Sequence, residues 1–307
     1  MEEISVSVVM AMFNEEKFLM EAIASVQKQS MERWELIIID DHSDDRSFEI
    51  AVKAATGDPR LVVEKNSGKG KVAAFNLGVS LAKGKFVHLF AGDDILLPNC
   101  LERCLEHVTK IGRSAIYHEL QRVDVKLREL PDTLCGGSLE EHSLDEAITK
   151  HSYAVPSGLW FFEKGAYSKA WPIPNHVPYE DVWVAVCFRS EGPVGYLPDR
   201  LYLYRQHANQ TYGPAADDSL DRYKFRMKRL GDAFKAIVND SDIRPKLHGG
   251  TVNFCEQQIE FAQLLCGDSR SLMKLFRSRL PWKRRISIAT AWFAPGRWSA
   301  LRRRALG

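Results

Sequence analysis

Three acidic pairs stand out as residues able to do chemistry: Asp40-Asp41, Asp93-Asp94 and Glu180-Asp181. Adjacent carboxylates repel unless a cation or hydrogen-bond donors compensate. Hard divalent ions favour carboxylate oxygen, and Mg2+ usually takes one or two protein carboxylates plus substrate phosphates. A metal-bridged diphosphate is thus a natural occupant beside Asp93-Asp94. The competing reading is an Asx turn with a helix cap ahead of Ile95-Leu96-Leu97-Pro98. Asp40-Asp41 carries the same ambiguity. The run DDHSDD either caps a helix around Arg46 or presents a carboxylate to the imide N–H of uracil or thymine. Glu180-Asp181 precedes an apolar, aromatic-rich segment with Trp183 and Phe188. It is either a charged first turn that complements the helix dipole or a general base beside an acceptor hydroxyl.

The elements that must position these pairs alternate over the first 90 residues. Ser5–Met12, Trp34–Ile39, Leu61–Val63 and Phe86–Phe90 are β-branched or apolar and read as strands. Between them, Phe18, Leu19, Ala22, Ile23 and Val26 share one helical face. Ser43 is placed to cap a second helix, and Ala73, Ala74, Leu77 and Leu81 mark a third, stopped by Gly84. This alternation predicts an α/β fold with a parallel sheet covered on both faces. Ligands of such sheets sit outside the carboxyl ends of the strands. Asp40-Asp41 and Asp93-Asp94 fall at two such ends, so the two pairs are expected to converge on one crevice. Residues 110–205 lose the regular alternation. They contain PSGLWFFE (156–163), YEDVWVAVCF (179–188) and a strand-like run, Tyr196–Tyr204, leading to Arg205-Gln206-His207. Residues 217–240 and 252–266 read as amphipathic helices.

The 307 residues are 45% hydrophobic and 27% charged, which excludes wholesale disorder. The six cysteines form no C-x-x-C pair, which argues against a zinc ribbon or redox dithiol and fits a reduced compartment. The amino terminus lacks a basic segment followed by an apolar one, and no run of about 18 apolar residues occurs, so neither a signal peptide nor a membrane span is expected. Gly68-Lys69-Gly70-Lys71 does not meet the P-loop pattern, because Val72 follows Lys71 and Lys65 stands where the first Gly belongs. Net charge is +2, but residues 270–307 hold eleven Lys or Arg and no acid, leaving −9 for residues 1–269. That basic tail also carries Trp282, Trp292, Phe293 and Trp298. Basic and aromatic residues together suit an anionic bilayer interface. The other reading is a helix packed on the domain with a solvated cationic side. No nucleic-acid module is recognised, so no specific nucleic-acid partner is expected.

Six segments in order resemble family 2 glycosyltransferases of the GT-A fold: VVMAMFNEE, SVQKQSMERWELIIIDDHSDD, NSGKGKVAAFNLGVSLAKGKFVHLFAGDDILLP, GLWFFEKGAYSKAW, YEDVWVAVCF and YLYRQHANQT. They cover residues 4 to about 211. The resemblance implies a glycosyltransferase domain over 1–210, with a nucleotide-binding half (1–110) and an acceptor-binding half (111–210). A helical extension over 211–307 follows. It implies that Ala11, Phe13 and Glu15 line the nucleobase pocket, that Asp41 hydrogen-bonds the base, and that Lys71 lies near the nucleotide. Asp93 would approach the ribose and Asp94 would bind Mn2+ or Mg2+. Asp181 would be the base of an inverting displacement. Glu180, Trp160 and His207 are candidate phosphate or acceptor contacts. The implied partners are a nucleotide-sugar donor, UDP-sugar foremost, and a saccharide or lipid-linked saccharide acceptor. Two departures are visible: Ala91 replaces the first Asp of D-x-D-D, and Phe75 replaces the Arg of A-R-N-x-G.

A sugar-nucleotide pyrophosphorylase is disfavoured, because Phe13-Asn14-Glu15-Glu16 stands where those enzymes carry a Gly-rich basic loop. A non-catalytic nucleotide-sugar-binding or membrane-docking protein of the same fold is the alternative function. The expected location is cytoplasmic, at the inner face of the membrane.

Overall fold

The computed structural model describes residues 4–131, 143–151, 155–208, 210, 219–267, 270–296 and 298. The first elements alternate as expected: β1 (Val6–Met12), α1 (Leu19–Gln27), β2 (Trp34–Asp40), α2 (Ser47–Thr56), β3 (Leu61–Lys65), α3 (Lys71–Leu81) and β4 (Phe86–Ala91). Every residue of β1 and β2 is buried. This is why they read as continuous apolar runs, the pattern of strands covered on both faces. The order β3-β2-β1-β4 is parallel throughout.

Beyond β4 the chain departs from simple alternation. β5 (Ile95–Leu96), α4 (Cys100–Ile111) and β6 (Ala115–Val123) come first. The short α5 (Leu144–Glu146) and a turn at Ser157–Leu159 lead to β7 (Trp160–Glu163), α6 (Glu180–Glu191) and β8 (Gly195–Arg205). The full sheet runs β3-β2-β1-β4-β7-β6-β8-β5. β7 is antiparallel to both β4 and β6, whereas β8 is parallel to β6. Two reversals therefore return β8 to the direction of β1, β2 and β4. Their carboxyl ends share one edge of the sheet, and residues 13–15, 41, 93–94 and 205–207 all lie just beyond it.

The carboxyl-terminal helices are α7 (Leu220–Asn239), α8 (Gly249–Cys266), α9 (Leu272–Arg277) and α10 (Trp282–Phe293). The sequence boundary near residue 210 is not a break in packing. Phe234 and Ile237 of α7 and Cys255 of α8 belong to the same core as the sheet. A second, smaller core gathers Leu265, Leu275, Ile288, Trp292 and Trp298. The tail is thus half packed. Trp292 and Trp298 are buried, while Phe276, Trp282 and Phe293 are exposed. Arg297 and residues 299–307 of the predicted tail, and residues 209 and 211–218, lie outside the described residues. Among the described residues no helix is long and apolar enough to cross a membrane.

Two local expectations are corrected. Ser43 does not cap α2; its hydroxyl accepts the Asn14 N–H, and the helix starts at Ser47, whose N–H Asp45 accepts. Asp94 is not a helix cap either, because α4 begins at Cys100 after Asn99.

Candidate functional site

The crevice is built from the loops that follow the aligned strand ends. After β1 and β2 the chain turns through Asn14 (φ 56°) and His42 (φ 64°), left-handed positions unusual for residues other than glycine. The two loops are laced together. Glu15 N–H donates to Ser47 Oγ at 2.8 Å, Glu16 N–H to Asp45 Oδ2 at 3.1 Å, and Asp44 N–H to Asn14 Oδ1 at 2.9 Å. Ala11 is buried at the end of β1, and the Phe13 ring is 55% exposed above it. Asp41 Oδ1 accepts from Asn66 Nδ2 and from Gly70 N–H, both at 2.8 Å. This ties the strand end to the 66–70 turn, and α3 with Lys71 starts directly after that turn.

At the end of β4, Asp93 and Asp94 point to different places. Asp94 is 1% exposed. Its Oδ2 accepts from the Tyr202 hydroxyl and its Oδ1 from the Arg205 N–H, each at 2.7 Å. Arg205 is equally buried. It donates through Nε to the Asp93 carbonyl at 2.8 Å, pairs with Glu21 at 2.6 Å and lies over the Phe18 ring. Asp93 instead turns its carboxylate toward the opening, where Oδ2 meets His207 Nε2 at 3.0 Å. Asp94, expected to bind the metal, is thus the more buried of the pair, with one hydrogen bond accepted by each of its oxygens. Asp93 is the carboxylate at the crevice, beside His207.

Glu15 lies close to both aspartates and is half-buried, with Oε2 shielded from solvent and lacking a hydrogen-bond partner. Burial first, then the charges of Asp93 and Asp94, push its carboxyl well above the usual range. Burial and Asp93 do the same to Asp94. Gly92 permits this crowding, since a Cβ there would stand 2.1 Å from Glu15 Oε2. The carboxylates of Glu15, Asp93 and Asp94, with Glu15 Oε2 unpartnered, concentrate negative charge here, which suits a divalent cation.

The opposite wall is the start of α6. Lys71 Nζ pairs with Glu180 at 2.9 Å and reaches Ser157 Oγ at 3.2 Å. Burial opposes the charge on Glu180, but the Lys71 ammonium outweighs it and holds this carboxyl below its ordinary value. Burial likewise opposes the charge on Lys71, and Glu180 and Asp181 outweigh it. Asp181 Oδ1 accepts the Ser157 N–H at 2.6 Å. Burial first, then Glu180 beside it, pushes Asp181 up to about 6. Two adjacent carboxylates are thus split into a fixed anion and a titratable one.

Trp160 is corrected. It is 1% exposed in β7 and packs against Tyr117 and Phe188, so it contacts the core and not a ligand. The sequence reading missed Tyr202, Arg205 and Ser157. Arg205 had a signal: it is a charged residue at the end of an apolar strand. Gly158 approaches the same anchor, where a Cβ would meet the Tyr202 hydroxyl at 2.6 Å.

The chain matches the Glycosyl transferase family 2 over residues 7–169 and belongs to that family. It is a glycosyltransferase, and its fold is GT-A. It is 36% identical over 277 residues to the glycosyltransferase GlyG of Streptococcus pneumoniae, covering 84% of this chain and 90% of that protein. TarS of S. aureus in complex with UDP-GlcNAc superposes with a TM-score of 0.60 at 18% identity, covering 94% of this chain and 80% of that one. The mannosyltransferase PcManGT of Pyrobaculum calidifontis, in complex with GDP-Man and Mn2+, gives 0.59 at 15% identity, covering 96% and 84%. At those identities the likeness shows the fold.

The Tyr202–Asp94 contact makes a stability prediction. Tyr202→Phe leaves one buried carboxylate oxygen unpaired and is expected to cost about 1–3 kcal/mol. Urea unfolding measures it; an unchanged midpoint would remove this contact as an anchor.

Proposed function

We propose that the protein transfers a sugar, with inversion, from a nucleoside diphosphate donor to an acceptor hydroxyl. One observation carries this reading: Lys71 Nζ pairs with Glu180 at 2.9 Å and reaches Ser157, whose N–H Asp181 accepts, while the charge of Asp93 also acts on this lysine. A titratable carboxylate and a diphosphate-facing carboxylate therefore border one crevice. Asp41, with Oδ1 committed to Asn66 and Gly70, offers Oδ2 to a nucleobase imide, and the exposed Phe13 ring at the end of the neighbouring strand offers a stacking surface. The laced loops after β1 and β2 hold that end of the donor, and Asp93 with His207 holds the diphosphate end. A Mn2+ or Mg2+ ion held by Asp93, with Glu15 behind it, would neutralise the charge that accumulates on the leaving diphosphate. Asp181 takes the acceptor hydroxyl proton while the acceptor oxygen bonds to the anomeric carbon and the bond to the diphosphate oxygen breaks. Lys71 keeps Glu180 ionised, so the proton goes to Asp181.

Tyr179, Arg226, Phe234, Phe254, Gln258 and Arg284 line a cavity of about 320 Å³, which in this reading receives the acceptor. Tyr179 lies two positions before Asp181, and Arg284 belongs to α10 of the tail. Exposed Phe276, Trp282 and Phe293 stand beside exposed Lys274, Arg277 and Lys283 on α9 and α10. Apolar and basic side chains in this mixture suit the interface of an anionic bilayer. A lipid-linked saccharide reaching the cavity from that surface is the acceptor class this arrangement favours.

Four outcomes are expected. Asp181→Asn lowers nucleoside diphosphate release by about 10²–10⁴-fold with nucleotide binding unchanged. In the wild type, kcat/KM falls as pH drops through about 6, because only the ionised carboxylate accepts the proton; a flat profile there would remove Asp181 from the base role. In a thermal-shift panel of UDP, dTDP, GDP and CDP with Mn2+, the preferred nucleotide at about 100 Kd stabilises by roughly 2.7 kcal/mol. Asp93→Ala abolishes the metal-dependent part, and its persistence would return the ion to Asp94. On vesicles containing anionic lipid, Trp282→Ser with Phe276→Ser weakens binding about tenfold or more, from the lost burial of two aromatic side chains. Wild-type protein that ignores such vesicles at low salt would overturn the docking surface.

A further inference from the structure

Behind the Asp93–Asp94 loop, four side chains of metal-ligating type meet in the core. His88 lies on β4, Cys100 and Cys104 one turn apart on α4, and His118 on β6. All four are 0% exposed, and one ligand atom from each lies within 4.8 Å of every other. His88 Nε2 stands 3.1 Å from His118 Nε2, and Cys100 Sγ is 3.7 Å and 3.9 Å from these two nitrogens. A tetrahedral zinc centre has Zn–N near 2.0–2.1 Å and Zn–S near 2.3 Å, which sets N···N edges of about 3.3 Å and N···S edges of about 3.6 Å. The measured edges lie close to both.

The tautomers point the same way. His88 Nδ1 faces the Leu89 carbonyl at 2.7 Å, and His118 Nδ1 faces the Glu119 carbonyl at 3.0 Å. A carbonyl oxygen only accepts, so both Nδ1 atoms carry the hydrogen. Each ring then has only Nε2 left to turn toward the other, across 3.1 Å with a thiol beside them. Two bare lone pairs there would repel, so a proton or a metal cation must lie between them. Zinc-ligating histidines are held in this way, with the second ring nitrogen donating to a carbonyl.

We propose that His88, Cys100, Cys104 and His118 form a structural zinc site. Two thiolates and two neutral imidazoles around Zn2+ sum to zero charge, which suits a dry interior; the two thiol protons leave to solvent on binding. Four protein ligands close the coordination sphere, so the ion staples structure and performs no catalysis. What it staples is functional: His88 and Cys100 bracket the segment that carries Asp93 and Asp94. None of the four ligands belongs to the donor site, so this inference stands apart from the proposed transfer.

Elemental analysis of the full chain, purified without chelator or metal-affinity steps, is expected to give about one zinc per chain. Co2+ added to the reduced, zinc-stripped protein is expected to give the thiolate charge-transfer band of a tetrahedral sulfur-ligated ion, which the carboxylates of the donor crevice cannot produce. Cys104→Ser should lose the zinc while Asp93→Ala keeps it. If Cys104→Ser does not fold, the wild-type metal content and cobalt spectrum decide. Only trace zinc together with no thiolate band would overturn the site and leave a metal-free buried thiol–imidazole cluster. Stoichiometric zinc lost with Asp93→Ala would overturn it too.

Discussion

The structure depends on the anchoring of Asp94. A carboxylate at 1% exposure is costly to bury unless its oxygens are satisfied. Here the donors come from β8, a strand more than a hundred residues away in the chain: the Tyr202 hydroxyl and the Arg205 N–H. Arg205 completes the joint by holding the Asp93 carbonyl and Glu21. This joint fixes the turn after β4 and delivers His207 to the side chain of Asp93. It also frees Asp93 to face the crevice, because its neighbour carries the structural burden. An adjacent acidic pair is thus divided between one carboxylate that holds the fold and one that meets His207.

The same division recurs at Glu180-Asp181, with Lys71 as the arbiter. Its ammonium sits nearest Glu180 and fixes that carboxylate as an anion. The anion, added to burial, then raises the neighbour to about 6. Pairs of titratable groups whose surroundings push them apart mark acid–base assignments. The lysine thus offsets the charge of neighbouring carboxylates, Glu180 foremost. Its position follows from backbone: Asp41 grips Gly70, and α3 begins one residue later.

The helical extension is not an appendage. Its first two helices share the core of the sheet, while the last two gather a second core and turn an aromatic and basic face outward. Several tail cations serve packing: Arg285 donates to the carbonyls of Phe276, Ser278 and Leu280, and Arg279 meets Glu256. The tail is therefore packed on one side and exposed on the other.

Much of the nucleotide half was legible in the sequence. Buried parallel strands are written as apolar runs, turns as Gly, Asn and Asp, and acidic pairs at strand ends mark a crevice by chain geometry alone. β1 to β4, their helices and the placement of Asp41 and Asp93 beyond the same edge of the sheet follow from those local rules. The division of labour within each acidic pair was not legible, because it is set by partners far away in the chain: Tyr202 and Arg205 for Asp94, Lys71 for Glu180. Trp160 was misread for the same reason, since an aromatic beside a polar motif looks identical whether it faces a ligand or the core. The cluster of His88, Cys100, Cys104 and His118 is the extreme case. No spacing pattern announces it, because its ligands come from two strands and a helix that meet only when the sheet closes. The sequence by itself determined which segments are strands and helices and which edge of the sheet carries the chemistry, since these follow from periodicity and chain direction. Only the tertiary structure decided which atom of each pair faces inward, because burial and hydrogen-bond partners are properties of contacts and not of neighbours in the chain.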